Sequence, residues 1–96
     1  MRAAIFKFRL YVAGNTPNSE KAKLNLNALC RAHLPGNYKI ELVDVMRSPD
    51  RALADGIFMT PTLVKLAPSP APRRIVGTLS QAQPVMQAFG VEAVVA

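Results

Sequence analysis

Cysteine and histidine are almost absent from this sequence, which has one of each, Cys30 and His33, in 96 residues. One cysteine cannot form an internal disulfide, build a zinc site alone or make a Cys-x-x-Cys redox pair. We interpret Cys30 as a small core residue and His33 as a packed or half-exposed side chain on the apolar side of a helix. Neither residue indicates a ligand site.

Three aspartates are the remaining candidates for a metal site. Asp50 is explained as an acid in the first turn of a helix, and Asp55 as a solvated helix residue, which leaves Asp44 alone. We therefore expect no metal and no cofactor.

Long hydrophobic runs are also missing, although half of the residues are hydrophobic. No run approaches the roughly 20 apolar residues that cross a bilayer, and the N-terminus lacks the apolar core of a signal peptide. We expect a cytoplasmic protein without membrane association. The length suits one domain, residues 1–96, with a modest core.

Acidic residues are few, with 6 Asp and Glu against 12 Lys and Arg, a formal charge of +6. Such a balance favours an acidic partner, which can be a protein surface, a nucleic acid or an anionic lipid. The chain has no tryptophan, few aromatic residues and no recognisable nucleic-acid motif, so we expect a protein partner and no nucleic acid. The basic residues in question are Lys7, Arg9, Lys21, Lys23, Arg73 and Arg74.

Hydrophobic periodicity divides the chain into seven elements. A period of two predicts strands, and steps of three and four residues predict helices. The predicted elements are a strand over Ala4–Val12, a helix from Pro17 that Pro35 and Gly36 end, a strand over Tyr38–Val45, a short helix through Ala54, a strand ending at Leu66, a strand over Ile75–Gly77 and a helix ending near Gly90. The first strand, helix and strand form a right-handed βαβ unit, so we predict an α/β fold with the order βαβαββα.

Polar residues before the helices predict how they begin and end. Thr16 and Ser48 each precede a proline and are predicted N-caps, and Ser80 with Gln83 forms a predicted capping box. Gly56 is placed to close the second helix.

This element order, with a proline before the third strand, resembles the thioredoxin fold. In that fold a Cys-x-x-Cys redox motif opens the first helix, where the helix dipole lowers a thiol pKa. The matching positions here are Asn15-Thr16-Pro17-Asn18, so Asn15 and Asn18 occupy the two cysteine positions and disulfide exchange is excluded there. The resemblance also implies that the peptide bond before Pro61 is cis.

Longer matches resemble one family of thioredoxin-like proteins, the circadian clock proteins of the KaiB family. They are Leu-Tyr-Val-Ala-Gly-Asn-Thr-Pro-Asn-Ser, Val-Asp-Val with Ser-Pro after it, Thr-Pro-Thr-Leu, and Arg-Arg-Ile-Val-Gly-x-Leu-Ser. The match runs from about Phe8 to Ser80. The first ten-residue stretch is highly specific, whereas Thr-Pro-Thr alone is not.

The resemblance implies a non-enzymatic clock adaptor. Proteins of the KaiB family bind the N-terminal ATPase ring of KaiC, modulate its phosphorylation cycle, capture KaiA and compete with a histidine kinase. The family usually has a small residue and a lysine where this chain has Lys39 and Glu41, and a lysine where it has Gly56. These three positions belong to the surface that faces KaiC in the family. Their substitution leaves an alternative, a KaiB-like protein that binds a signalling kinase or a stress-pathway partner.

The resemblance further implies two folds for one sequence, a free tetramer with a rearranged C-terminal half and a thioredoxin-like monomer in the KaiC-bound form. Ala88 replaces a family glycine within the last predicted helix, where alanine is favoured by up to about 1 kcal/mol. Gly90 then lies where that helix stops, and Pro61 marks the third strand. We expect the free chain to be mainly a thioredoxin-like monomer, with the rearranged tetramer as the alternative.

Overall fold

The computed structural model describes residues 5–68 and 73–89, which form a four-stranded sheet with helices on both faces. The elements are β1 Phe6–Val12, α1 Pro17–His33, β2 Tyr38–Asp44, α2 Pro49–Ala54, β3 Thr62–Ala67, β4 Arg73–Val76 and α3 Ala82–Phe89. This order confirms the predicted thioredoxin-like βαβαββα fold, and the rearranged fold is not the one adopted here.

The strand order in the sheet is β2-β1-β3-β4. β1 and β2 run parallel with Phe6 opposite Tyr38, which confirms the predicted βαβ unit. β3 lies antiparallel to β1, and β4 lies antiparallel to β3. β2 and β4 are therefore the edge strands, and the start of α1 lies at the end where β1 finishes.

The larger part of the core lies between the sheet and the helices α1 and α3. Because residues four apart share one face of a helix, α1 turns Ala22, Leu26 and Cys30 onto β1, where they pack with Phe8 and Leu10. All five side chains are at most 1% exposed. His33, predicted as a packed or half-exposed side chain on the same apolar side, is exposed in the last turn of α1.

The smaller part of the core lies on the other sheet face, under α2. Ala52 packs there on Tyr11, Val43 and Val64. Tyr11 lies on the face of β1 opposite Phe8, and the packing beneath α2 leaves it 0% exposed. Both faces of β1 are therefore buried around its carboxyl end.

Two helix starts differ from their predictions in detail. Thr16 and Ser48 occupy the N-cap positions of α1 and α2, but neither side chain makes a capping hydrogen bond. The Thr16 hydroxyl donates to Ser19 Oγ at 2.8 Å, and Ser19 Oγ also accepts from the backbone N–H of Ala13 at 3.1 Å. The buried Ser19 hydroxyl thus ties the loop after β1 to the first turn of α1.

The last helix begins later than predicted. α3 begins at Ala82, and the hydroxyl of Ser80 is hydrogen-bonded to that of Thr78 at 3.0 Å instead of acting as the predicted N-cap. Ala88 lies within α3 as predicted. Gly90, predicted to stop the helix, lies outside the described residues. The peptide bond before Pro61 is cis, as predicted.

Candidate protein-binding face

The sheet face that carries α2 brings together the residues predicted to bind a partner. Lys39 and Glu41 are two residues apart on β2 and therefore point to the same face of the sheet. Arg9 lies opposite Glu41 on β1 and points to that face too. Gly56 follows α2 on that side of the sheet. We call the surface formed by Lys39, Glu41, Gly56 and their immediate neighbours the α2 face.

Two arginines hold the Glu41 carboxylate on the α2 face. Arg9 Nε donates to Glu41 Oε1 at 2.7 Å, and Arg51 Nη2 lies 3.0 Å from Glu41 Oε2. The hydrogen bond from Arg9, and then that from Arg51, lowers the pKa of Glu41. Glu41 is therefore an ionised carboxylate whose two oxygens are both engaged within the chain.

Asp55 extends this network towards the smaller core. Its Oδ2 accepts hydrogen bonds from Arg9 Nη1, at 3.0 Å, and from the buried hydroxyl of Tyr11. The Tyr11 hydrogen bond is the largest cause that lowers the pKa of Asp55, while burial raises the pKa of Tyr11. The prediction that Asp55 is simply a solvated helix residue is wrong, because it lies at the C-cap of α2 and satisfies the only polar atom of a buried ring.

Gly56 ends α2 in a left-handed conformation, with φ +66°. Its N–H donates to the carbonyl of Leu53 at 3.0 Å, and the N–H of Ile57 donates to that of Ala52 at 2.8 Å. This pair of hydrogen bonds is the Schellman motif, which requires a positive φ at the position of Gly56. The predicted role of Gly56 in closing the helix is confirmed.

Arg74 occupies the space beside Gly56. Its Nη1 donates to the carbonyl of Gly56 at 3.2 Å, and its Nη2 donates to the carbonyl of Asp55. A Cβ added at Gly56 would lie 3.6 Å from Arg74 Nη1, which is ordinary contact, so conformation limits a side chain there more than space does. A guanidinium from β4 therefore supplies the positive charge next to position 56.

Large apolar side chains lie exposed beside this network. Phe58 is 89% exposed, Met59 64% and Leu53 74%, and Val76 on β4 is 54% exposed. Ile57, Phe58, Met59 and Val76 line a shallow hollow with Thr62 and Arg74. Charged and apolar groups thus adjoin on one surface, an arrangement typical of protein-binding sites.

The positions of the lost redox motif lie at the end of the sheet where β1 finishes and α1 begins. Asn15 and Asn18 are exposed, and Asn18 lines a cleft with Ala13, Thr16, Pro17 and Thr60. Cys30 is fully buried in the core, and burial raises the pKa of its thiol to about 12. The cleft therefore contains no thiol, and the thiol of Cys30 is protonated at neutral pH.

Asp44 has a structural role that the sequence did not reveal. Its Oδ1 accepts the backbone N–H of Met46 at 2.9 Å and that of Gly14 at 3.1 Å, and these bonds lower its pKa. The carboxylate thus joins the loops that follow β1 and β2. Within the described ranges, no group of His, Cys, Asp and Glu could hold a metal ion, and no helix has the length and apolar character to span a membrane.

The sequence predicted Lys39, Glu41 and Gly56 as partner-binding positions but did not predict the contacts that Glu41 and Gly56 make within the chain. Arg9, Arg51, Asp55 and Arg74 come from three elements and a helix cap, and most of their bonds join residues between 18 and 46 positions apart. The signal available in the sequence was register, since a parallel pairing that starts with Phe6 and Tyr38 puts Arg9 opposite Glu41.

Proteins of known family resemble this chain closely. The KaiB domain model matches residues 9–90. The circadian clock oscillator protein KaiB of Thermostichus vulcanus is 43% identical over 81 residues, which make up 84% of this chain and 74% of that protein. The protein of the same name from Prochlorococcus marinus strain NATL2A is 45% identical over 78 residues, 81% of this chain and 72% of that protein.

Solved structures resemble the fold at lower sequence identity. The N-terminal domain of Synechococcus elongatus SasA superimposes with a TM-score of 0.76 at 18% identity, covering 95% of this chain and 86% of that one. Chloroplastic thioredoxin z superimposes with a TM-score of 0.75 at 21% identity, covering 93% and 80%. At these sequence identities, the structural similarity shows the thioredoxin-like fold and nothing about function.

Proposed function

This chain belongs to the KaiB family of circadian clock proteins, and we propose that it is a non-enzymatic adaptor that binds a KaiC-type ATPase ring through the α2 face. Binding modulates the phosphorylation cycle of the ring and its output signalling in the cytoplasm. Two further partners are KaiA, which the ring-bound adaptor captures, and a histidine kinase, which competes with the adaptor. The observation that carries the proposal is the KaiB match over residues 9–90.

The α2 face supports a binding role by its chemistry. Lys39 on β2 is an exposed cation, and Phe58, Met59 and Val76, towards β4, offer apolar surface that association would bury. Arg9, Glu41 and Asp55 are held by one another, so this part of the face needs little ordering on binding. A preorganised surface loses less side-chain entropy when a partner docks.

The residues at the start of α1, where thioredoxin-like proteins carry their redox motif, support a non-enzymatic role. Asn15 and Asn18 provide neither a nucleophile nor a titratable group at the start of α1, and Cys30 is buried away from that cleft. Reduction of insulin by the protein with dithiothreitol, at a rate above the dithiothreitol blank, would contradict this part of the proposal.

A second candidate is a KaiB-like adaptor with a different protein partner, such as a signalling kinase. The observation that favours it is the charge at position 41. The resemblance implies a lysine at this position, but this chain has a glutamate whose oxygens bind Arg9 and Arg51. Position 41 therefore offers a partner no free positive charge.

Complex formation with a KaiC-type ring separates the two candidates. The protein is mixed with the ring and ATP at high micromolar concentration and analysed by size-exclusion chromatography with light scattering. We expect a complex of increased mass, and its absence would count against the first candidate. In that case the double variant Lys39→Ala/Glu41→Lys, which restores the family pattern on β2, is the decisive comparison, since recovered binding would identify a partner switch.

A further inference from the structure

Two lysines lie side by side at the end of the sheet that α2 does not cover. Lys7 on β1 and Lys39 on β2 are direct register partners, so both point to the same face from strands about 4.8 Å apart. Both side chains are exposed. The apolar cluster beneath α2 lies towards the other end of the same strands, around Tyr11, Val43 and Ala52.

Neither lysine has an acidic partner within residues 5–68 and 73–89. The ion pairs in this part of the chain join Arg9 to Glu41 and Asp55, Arg51 to Glu41, and Lys23 to Glu20. Glu41 is the next outward-facing residue on β2 after Lys39, but Arg9 and Arg51 already engage both of its oxygens. Two like charges therefore face each other across neighbouring strands without compensation, an arrangement that costs stability.

We propose that Lys7 and Lys39 form a docking site for an acidic segment of a protein partner. This docking site rests on the proposed function only for the identity of the partner. The ring binds the α2 face, and a segment of the ring that bears Asp or Glu lies across the two lysines. One or two carboxylates placed there neutralise a repulsion that the free protein contains. This relief adds to the ordinary attraction between opposite charges.

Charge complementarity favours a short acidic protein segment over a nucleic acid. Sites that track a phosphate backbone have a longer cationic groove with aromatic side chains on which bases stack. Here Lys7 and Lys39 form a short cationic pair, and next to them on the same face Arg9 is already paired with the carboxylates of Glu41 and Asp55. A continued phosphate chain would meet these carboxylates, whereas one or two carboxylate side chains would not.

The first experiment uses a probe that does not depend on the ring. A blocked hexaglutamate peptide is titrated into the labelled protein, and backbone amide shifts are followed by NMR. We expect the largest shifts at Lys7, Lys39 and their sheet neighbours, and their loss in Lys7→Gln/Lys39→Gln. The matched control is Lys21→Gln/Arg31→Gln, which removes two exposed cations from α1. Shifts that are absent, or that both double variants lose alike, would overturn the proposal.

The second experiment measures affinity for the KaiC-type ring with ATP. The Lys7→Gln/Lys39→Gln variant should bind about tenfold more weakly and show a smaller salt dependence, and the α1 control should change affinity less than about twofold. Equal losses in both variants, or none in either, would refute the docking site. If the wild-type protein does not bind the ring at all, the proposed function fails, while the peptide titration still decides the lysine site.

Two controls test the preference for carboxylates and the repulsion between the lysines. Hexathymidylate is titrated in place of the peptide, and shifts at Lys7 and Lys39 as large as those from hexaglutamate would show a general anion patch and overturn the proposal. Urea unfolding of the Lys7→Gln/Lys39→Gln variant should give a free energy at or above that of wild type, because the repulsion is removed. A lower value would contradict the unfavourable pairing on which the docking site depends.

Discussion

Arg9 and Glu41 are register partners on β1 and β2, and Arg9 Nε lies 2.7 Å from Glu41 Oε1. The same guanidinium reaches Asp55 through Nη1, so one arginine connects both strands to the end of α2. This places a salt-bridged network where the KaiB resemblance implies a cationic contact surface. The charge at position 41 is thus part of the internal structure of the α2 face.

The Arg9 and Glu41 pair should show a measurable coupling energy. We expect the double-mutant cycle of Arg9→Gln and Glu41→Gln to give about 0.5–1 kcal/mol, since the pair is partly exposed but has hydrogen-bonding geometry. Urea unfolding of the four proteins supplies the values. The control cycle pairs Glu41→Gln with Lys21→Gln on α1, and a coupling as large there would show that the effect is not local.

Asp55 should stabilise the fold chiefly by satisfying the Tyr11 hydroxyl. Replacing it in Asp55→Ala leaves a buried hydroxyl without this acceptor, and we expect a loss of about 1–3 kcal/mol in the free energy of unfolding. The variant Tyr11→Phe/Asp55→Ala removes the orphaned group and should recover part of the loss. Asp50→Ala, in the first turn of the same helix, is the control and should cost less than Asp55→Ala.

The free energy of unfolding should decrease in acid because the fold stabilises the ionised form of three carboxylates. The folded-state pKa values of Glu41, Asp44 and Asp55 are all lowered, so their contribution is complete above the unfolded values near 4 and is lost as pH falls through the folded values. We expect the free energy of unfolding to be flat from pH 7 to about 5 and to decrease below about 4. The slope should be smaller in Asp55→Asn, and an unchanged slope would contradict the assignment.

Position 56 should tolerate a lysine poorly. Any side chain with a Cβ is strained at φ +66°, so Gly56→Lys should lose about 1 kcal/mol of stability even though space is available. Gly56→Asn is the matched variant, because asparagine adopts this conformation more readily and should cost less. Thermal unfolding of both variants tests the order. Equal losses would indicate a cause other than backbone conformation.

Ala88 should favour the thioredoxin-like form of the free chain. Ala88→Gly within α3 should lower helix stability by up to about 1 kcal/mol and shift the population of any rearranged form roughly fivefold. Size-exclusion with light scattering and secondary chemical shifts over residues 81–89 report the result. Ala28→Gly in α1 is the control for general destabilisation. A wild-type tetramer, or strand-like shifts in that stretch, would refute the preference for a monomer.

Helix and strand positions followed from the sequence because local chemistry specifies them. Gly56 illustrates this, since a glycine after a short apolar helix is a C-cap signal and the Schellman motif is present. The predictions for Thr16, Ser48 and Ser80 were less accurate, because a hydroxyl in a loop has several competing partners. Ser19 and Thr78 are the partners that Thr16 and Ser80 bind, and neither belongs to a capping pattern.

The sequence by itself determined the order of elements and the family, because periodicity, turn residues and family motifs are local along the chain. It also predicted Lys39, Glu41 and Gly56 as partner-binding positions. Only the tertiary structure decided which charges neutralise one another. The sequence predicted Asp55 to be solvated, but the fold brings it to Arg9 and Tyr11, residues 46 and 44 positions away. Lys7 and Lys39 likewise became neighbours only through the parallel register of β1 and β2. Electrostatic interactions depend on distance in space, which strand pairing and helix packing set and which sequence separation does not.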